Sequence, residues 1–450
     1  MVLLEALKGA QVELQCTPAS GRLRCLGRLS VILVSEVFGI VSMAGFGLRA
    51  WRTYRSVPSG VGGVGGGAVR LVRDVRYGER PRNVLDLYLP PTAGPTGGTG
   101  MEAVPSAGAP VALFCHGGVW ASGEKWHYAP MAVRLAQAGV LVGVLHYTLY
   151  PQARSPQMAA ELSTALSWAF EHAEEYGGDP TQISALGHSA GAHLWFMALL
   201  GRARAARRPP RSGTPQDTPV RADVRMPARF VGMAGVYDIG QHYEYEAGRG
   251  VALLSTMARA VAGADFARDG AAPPQPKAFA AQSPARLLAL AAGSLPAREP
   301  TLAGQALARR IGGAEGALTL EDAARLPPCV LMSSCADVTV PWAESAEMYW
   351  RLVDCSVPAE HLVYPQEPSH SDFVTVWRPL RWSGQAKDAP SSGSHADGGG
   401  ASAEGTAKGT AAADLPAFAQ DLVAVLNGRA QVTQAAHKLR GGVRASGDPP

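Results

Sequence analysis

Charge is scarce in this chain, and neither sign dominates. Asp, Glu, Lys and Arg make up 17% of its 450 residues, and 41 basic against 37 acidic side chains leave a formal net charge of +4. Binding to nucleic acid needs a concentrated basic surface. Here the basic residues are scattered or sit in loop-like stretches, so no nucleic-acid partner is expected. Cysteine is also sparse. Cys16, Cys25, Cys115, Cys329, Cys335 and Cys355 show neither metal-ligand spacing nor the density of a disulfide framework. Cys115 and Cys329 fall in apolar runs that read as buried strands, which suits a reduced, cytosol-facing protein. There is no divalent-metal cluster and no dinucleotide glycine motif in a suitable strand–helix context, so neither metal nor cofactor is expected.

Glycine and proline, by contrast, are plentiful at 52 and 34 residues. Part of this content lies in stretches without hydrophobic periodicity, at 92–109, 202–225, 265–282 and 383–412, which read as low-complexity insertions. The chain is long enough for one catalytic domain of about 300 residues with appendages. We place that domain at 69–430, after an N-terminal segment (1–28), an apolar run (29–48) and a glycine-rich linker (59–68). The tail 441–450 reads as disordered. The run 29–48 has the length of a membrane-spanning helix. Arg49, Arg52 and Arg55 close it, Trp51 and Tyr54 suit an interface, and Glu36 is its one acidic residue.

Within the domain, apolar strand-like runs alternate with helical patterns. Strands are expected at 69–75, 85–89, 111–115, 140–145, 183–186, 230–235, 330–334 and 361–364. The first two form an antiparallel edge hairpin. Helices are expected near 128–138, 156–176, 192–200, 342–352 and 415–426, and residues 177–180 read as a turn. Continuous apolar strands alternating with helices imply a mostly parallel sheet covered on both faces. Residues 237–325 hold broken helical pieces, such as 251–262 and 284–291, placed where a cap over a substrate would sit.

The chain is organised around Gly187-His188-Ser189-Ala190-Gly191, between a buried strand and a helix. A serine in such a turn sits on a strained elbow, with its hydroxyl raised above the sheet. The hydroxyl needs a histidine base, and the histidine needs an acid to orient it. On this kind of sheet the chain order is serine, acid, histidine, each after a strand. Asp337 follows the strand 330–334, and His370 follows the strand 361–364. His188 and His193 are too near Ser189 in sequence to serve as its base. His361 opens a strand, Asp354 ends a helix, and Asp372 lies on the histidine loop. Backbone N–H groups of Gly117, Gly118 and Ala190 are candidates for an oxyanion hole.

His116-Gly117-Gly118-Val119-Trp120, the Ser189 elbow, Asp337 and His370 together resemble the hormone-sensitive-lipase-like branch of the α/β-hydrolases. More locally, residues 76–90, 176–180, 187–193, 235–238 and 341–344 resemble the plant isoprenylcysteine methylesterases. The resemblance spans about 70–380 and is interrupted by the insertions at 202–225 and 265–282. It implies an α/β-hydrolase fold with a helical cap, preceded by an N-terminal apolar helix. It also implies hydrolysis of the carboxyl methyl ester of a farnesylated or geranylgeranylated cysteine, free or at a protein C-terminus. Members of that family are membrane-associated in the endoplasmic reticulum and Golgi, so the same location is expected here, with the catalytic domain facing the cytosol. Two other readings stay open. Arylformamidases, which open N-formylkynurenine, share the glycine and serine motifs. Gibberellin receptors use the fold without catalysis and lack the triad histidine.

Overall fold

The computed structural model describes residues 44–60, 68–91, 108–207, 224–252, 254–262, 276–293, 317–380, 414–429 and 437–440, with short pieces between 14 and 30. Nine strands form one sheet: β1 (Arg70–Arg76), β2 (Val84–Leu89), β3 (Ala109–Cys115), β4 (Leu141–Leu145), β5 (Gly178–His188), β6 (Arg229–Met233), β7 (Cys329–Ser334), β8 (Ala359–Tyr364) and β9 (His437–Arg440). Their spatial order is β1-β2-β4-β3-β5-β6-β7-β8-β9. β2 runs antiparallel to both neighbours, β3 to β8 are parallel, and β9 closes the far edge antiparallel. This order, with a serine elbow after β5, is the α/β-hydrolase arrangement.

β3 and β4 are continuous apolar runs because both faces are covered. On β3, Leu113 and Cys115 enter one core while Ala112 and Phe114 enter the other. Twelve helices follow in chain order among the described residues of 44–429. They are α1 (Ala44–Ser56), α2 (Ala129–Gln137), α3 (Ser155–His172), α4 (Ala190–Arg207), α5 (Ile239–Gly248), α6 (Met257–Ala262), α7 (Pro276–Ala281), α8 (Pro284–Ala291), α9 (Leu320–Ala323), α10 (Trp342–Asp354), α11 (Asp372–Thr375) and α12 (Ala417–Leu426). α3, α4, α8 and α10 fill the first core, and α2 and α12 fill the second. From β3 the chain goes to β4 on one side and then crosses to β5 on the other. The crevice outside the carboxyl ends of β3 and β5 is thereby a topological switch point, the usual place for a ligand in such a sheet.

Several expectations need correction. The turn at 177–180 shrinks to Gly177, which takes a left-handed φ of 79°, and the strand already begins at Gly178. The insertion expected at 202–225 starts later, since α4 runs to Arg207 and buries Arg202 and Ala203. The stretch 265–282 ends in α7, where Phe279 and Ala280 are buried. The helix expected over 251–262 contracts to Met257–Ala262. Residues 31–43 of the apolar run, most of the four expected insertions and the tail 441–450 lie outside the described residues. Among the described residues no helix is long and apolar enough to cross a membrane. The end of the apolar run does appear, as α1, which packs beside α2.

A buried charge group ties the hairpin edge to the mouth of the sheet. Asp86 on β2 is fully buried and Lys125 is 4% exposed. Lys125 Nζ lies 2.9 Å from Asp86 Oδ1 and 2.5 Å from Asp74 Oδ1. Removing one partner of a buried pair leaves the other charge uncompensated. Lys125→Met is therefore expected to lower unfolding free energy by about 3 kcal/mol in a denaturant titration. A loss within error of zero would contradict this role for the pair.

Candidate active site

Ser189 stands between β5 and α4 with φ at 54°, a conformation unusual for a residue with a side chain. Close packing demands the flanking glycines. A Cβ on Gly187 would lie 2.5 Å from the Ala192 Cα, and one on Gly191 would lie 2.2 Å from the Cys115 carbonyl oxygen. The elbow is pinned from both sides. Ser189 N–H donates to the Met233 carbonyl at 2.9 Å, and the Ser189 carbonyl accepts from Ala192 N–H at 3.0 Å.

Asp337 and His370, far apart in sequence, meet above β7 and β8. His370 Nδ1–H donates to Asp337 Oδ2 at 2.7 Å, which leaves Nε2 available as a base. The other Asp337 oxygen accepts the N–H groups of Thr339 and Val340 at 2.8 and 2.9 Å. Burial by itself would raise this carboxyl. The hydrogen bond and charge of His370, with the two amides, outweigh burial and hold it below the usual carboxylate range. The rival acids have other partners. Asp372 accepts from Ser369 N–H and Oγ–H at 2.9 and 2.6 Å, closing the loop that carries His370. Asp354 pairs with Arg351.

The histidines set aside from the base role prove to have structural work. The His188 ring lies 4.8 Å from the His370 ring, and its Nε2–H donates to the His370 carbonyl at 2.9 Å. Burial, followed by the neighbouring His370, pushes the His188 pKa down to about 3, so its ring is neutral. It braces the backbone of the histidine loop. His193 donates from Nε2 to the Gln282 carbonyl at 2.7 Å and accepts from Trp120 Nε1–H at 3.2 Å. It thereby joins the cap side of the molecule to the glycine loop. His361 is fully buried on β8 against Ser333 Oγ at 2.7 Å.

The glycine loop is strained and gripped. Gly118 has φ at 115°, and Val119 and Trp120 follow at 52° and 58°. Residues held in such conformations persist only when their surroundings impose them. Thr256 Oγ1–H donates to the Val119 carbonyl at 2.6 Å, and Tyr150 N–H donates to the Trp120 carbonyl at 2.9 Å. A Cβ on Gly117 would come within 2.8 Å of Ser189 Cβ, so the Gly117 backbone abuts the elbow. Ala190 opens α4, where N–H groups have no acceptor within their own helix.

Ser189, His370, Gly117 and Gly118 all line one cavity of about 400 Å³. Phe46, Val119, Trp120, Val236, Val340 and Val374 make much of the wall apolar. Phe46 and Gly47 come from α1, a contribution that no motif announces. His242 and Glu246 of α5 also reach this cavity. All six sequence-predicted site residues are therefore near one crevice, with Asp337 directly behind His370.

Neutral buried histidines make the fold acid-sensitive. Burial lowers His188 to about 3 and His116, His193 and His361 to about 4. The unfolded chain, with histidine near 6.5, binds more protons below that pH. Stability should then fall as pH drops from about 6.5, by up to about 1.4 kcal/mol per unit for each such ring. Glu246 and Glu344, raised by burial, oppose the trend. Melting temperatures measured between pH 7 and pH 5 should decline steeply, and a flat profile would contradict the neutral assignments.

Comparison with known proteins agrees with this geometry. A family profile described as BD-FAE matches residues 100–247, which include the glycine loop and the Ser189 elbow but not Asp337 or His370. A probable isoprenylcysteine alpha-carbonyl methylesterase of Oryza sativa subsp. japonica is 38% identical over 134 residues, 30% of each chain. The isoprenylcysteine alpha-carbonyl methylesterase of Arabidopsis thaliana is 35% identical over 131 residues, 29% of this chain and 28% of that protein. A probable carboxylic ester hydrolase of Mycobacterium tuberculosis is 36% identical over 129 residues, 28% of each. The matched stretch thus spans about 30% of the length of the first of these relatives. Among solved structures, an inhibited esterase B from Lactobacillus rhamnosis aligns with a TM-score of 0.49 at 16% identity, covering 77% of this chain and 90% of that one. The strand order carries the fold assignment independently of that likeness. Over about 130 residues the chain is similar to the plant isoprenylcysteine methylesterases, and its strand order is that of an α/β-hydrolase fold.

Proposed function

We propose that this protein is a serine carboxylesterase that hydrolyses the methyl ester of prenylated cysteine. The observation that carries the reading is the 2.7 Å pair of Asp337 and His370 in one crevice with the Ser189 elbow and the glycine loop. In this mechanism Ser189 Oγ attacks the ester carbonyl as His370 Nε2 takes its proton. The N–H groups of Gly117, Gly118 and Ala190 hold the developing oxyanion. The tetrahedral intermediate collapses, His370 returns the proton to the leaving oxygen, and methanol departs. Water, deprotonated by His370, then attacks the acyl-serine and releases the free acid. Asp337 holds the imidazole in the required tautomer and stabilises its positive charge. The Asp337–His370 pair argues against a receptor that lacks the triad histidine.

The similarity to methylesterases supports the prenylcysteine substrate, and so does the apolar cavity wall. The apolar run 29–48 leads into α1, whose Phe46 and Gly47 line the cavity. A prenyl chain partitions into lipid, and a membrane-tethered enzyme would meet it there. We place the protein at the endoplasmic reticulum or Golgi membrane on the same reading, held by its N-terminal segment with the catalytic domain facing the cytosol.

The test measures turnover of farnesylcysteine methyl ester and N-formylkynurenine by detergent-solubilised protein and its Ser189→Ala form. Release of methanol from the first substrate, lowered by about four orders of magnitude or more in the variant, is expected. Cleavage of N-formylkynurenine alone would transfer the protein to the arylformamidases. Asp337→Asn should lower turnover by about four orders of magnitude, since it leaves His370 in the wrong tautomer. Near-normal activity in that variant would require another acid.

A further inference from the structure

A second acid–histidine group opens onto the cavity that holds Ser189. His242 and Glu246 lie one turn apart on α5, and both line that cavity. His242 Nδ1 meets Glu344 Oε1 at 2.6 Å, and its Nε2 lies 3.7 Å from Glu246 Oε1. Glu344 also accepts from Tyr237 N–H at 3.3 Å. The three residues are 5%, 8% and 3% exposed for His242, Glu246 and Glu344. The helix that carries them is fixed at its start, where Asp238 accepts from Gln241 N–H and pairs with Arg286.

The charges in this group do not balance. One imidazole can carry one positive charge, against two carboxylates. The Ser255 hydroxyl meets the Glu246 carboxyl, while Glu246 Oε2 is buried without a hydrogen-bond partner. Arg249, which acts on both His242 and Glu246, is exposed and lies over the Tyr245 ring at 5.6 Å. No lysine or arginine is among the described residues that line the cavity. Burial raises the carboxyls of Glu246 and Glu344, and a cation held against Glu246 would offset that cost and favour the ionised form. None of these groups is needed for the acyl-transfer steps above.

We infer that Glu246, backed by His242 and Glu344, forms a subsite for an ammonium group on the acyl half of the substrate. The inference rests on the esterase reading and narrows its substrate class to esters of amino acids with a free amine. An S-alkylated cysteine methyl ester has both features the cavity offers to recognise, an apolar chain and an α-ammonium. A peptide-linked cysteine, whose nitrogen is an amide, lacks the cation. Charge-assisted hydrogen bonds to a buried carboxylate correspond to a preference of about tenfold to a hundredfold.

The test uses two substrate pairs on the full-length protein near neutral pH: S-farnesylcysteine methyl ester and phenylalanine methyl ester, each with its N-acetyl form. An ammonium also activates an ester intrinsically, so the decisive quantity is the change in the free-to-acetylated ratio of kcat/KM caused by Glu246→Gln. The ratio is expected to fall by about tenfold or more in the variant. A ratio that Glu246→Gln leaves unchanged overturns the subsite. If only the phenylalanine pair is cleaved and its ratio falls, the subsite stands and the prenyl reading fails. If neither pair is cleaved while p-nitrophenyl butyrate is, both readings fall. Should Glu246→Gln not fold, hexylamine and hexanol are compared as inhibitors of p-nitrophenyl butyrate hydrolysis by the unaltered protein. The amine is expected to act at about tenfold lower concentration, and equal inhibition overturns the proposal.

Discussion

Everything near the crevice depends on one strained backbone, the left-handed turn at Ser189. Such a turn lifts a side chain off the sheet only if the strand before it and the helix after it come almost into contact. Gly187 and Gly191 make that approach possible, and the Cys115 carbonyl fills the space where a Gly191 Cβ would stand. Because Cys115 ends β3, the same contact that seats the elbow also fixes where the glycine loop leaves the sheet. The abutment of Gly117 on Ser189 follows from it. Elbow and loop are therefore one packing unit rather than two motifs that happen to be near each other.

That unit is held under load from outside. Val119 and Trp120 both adopt left-handed backbone, and neither is a glycine. Their carbonyls are gripped by Thr256 and Tyr150, and the Trp120 indole by His193. Thr256 immediately precedes α6, and Gln282, which fixes His193, lies between α7 and α8. The excursion after β6 thus does more than roof the cavity, since its hydrogen bonds keep the loop in a conformation it would not adopt alone. Preorganised donors stabilise a developing charge without reorganisation at the moment of reaction, and rigid support of this kind is what such donors require.

The histidines divide by environment rather than by sequence position. His370 is oriented by a carboxylate that three hydrogen bonds keep ionised, while His188 beside it is kept neutral by burial. Two imidazoles 4.8 Å apart could not both hold a charge without mutual repulsion. Assigning the proton-carrying role to one and a neutral, bracing role to the other resolves the conflict. On α5 the pattern is different, because His242 sits between two buried carboxylates.

Much of the frame was legible in the residues alone. The strand 111–115 is an unbroken apolar run because it buries both faces. The elbow announces itself through its glycines, and the order Ser189, Asp337, His370 follows from where their strands lie. These are local patterns or consequences of chain order. What the sequence did not reveal joins residues with no local relation. His188 meets the His370 carbonyl across 182 positions, Thr256 meets Val119 across 137, and His242 meets Glu344 across 102. The contribution of Phe46 to the cavity is of the same kind. No periodicity encodes such contacts, because they exist only after the sheet has brought separate loops to one edge. By itself the sequence determined the layered sheet, the nucleophile elbow and the candidate triad. Tertiary packing alone decided which histidines are braces, what grips the glycine loop and which ionisable groups line the cavity.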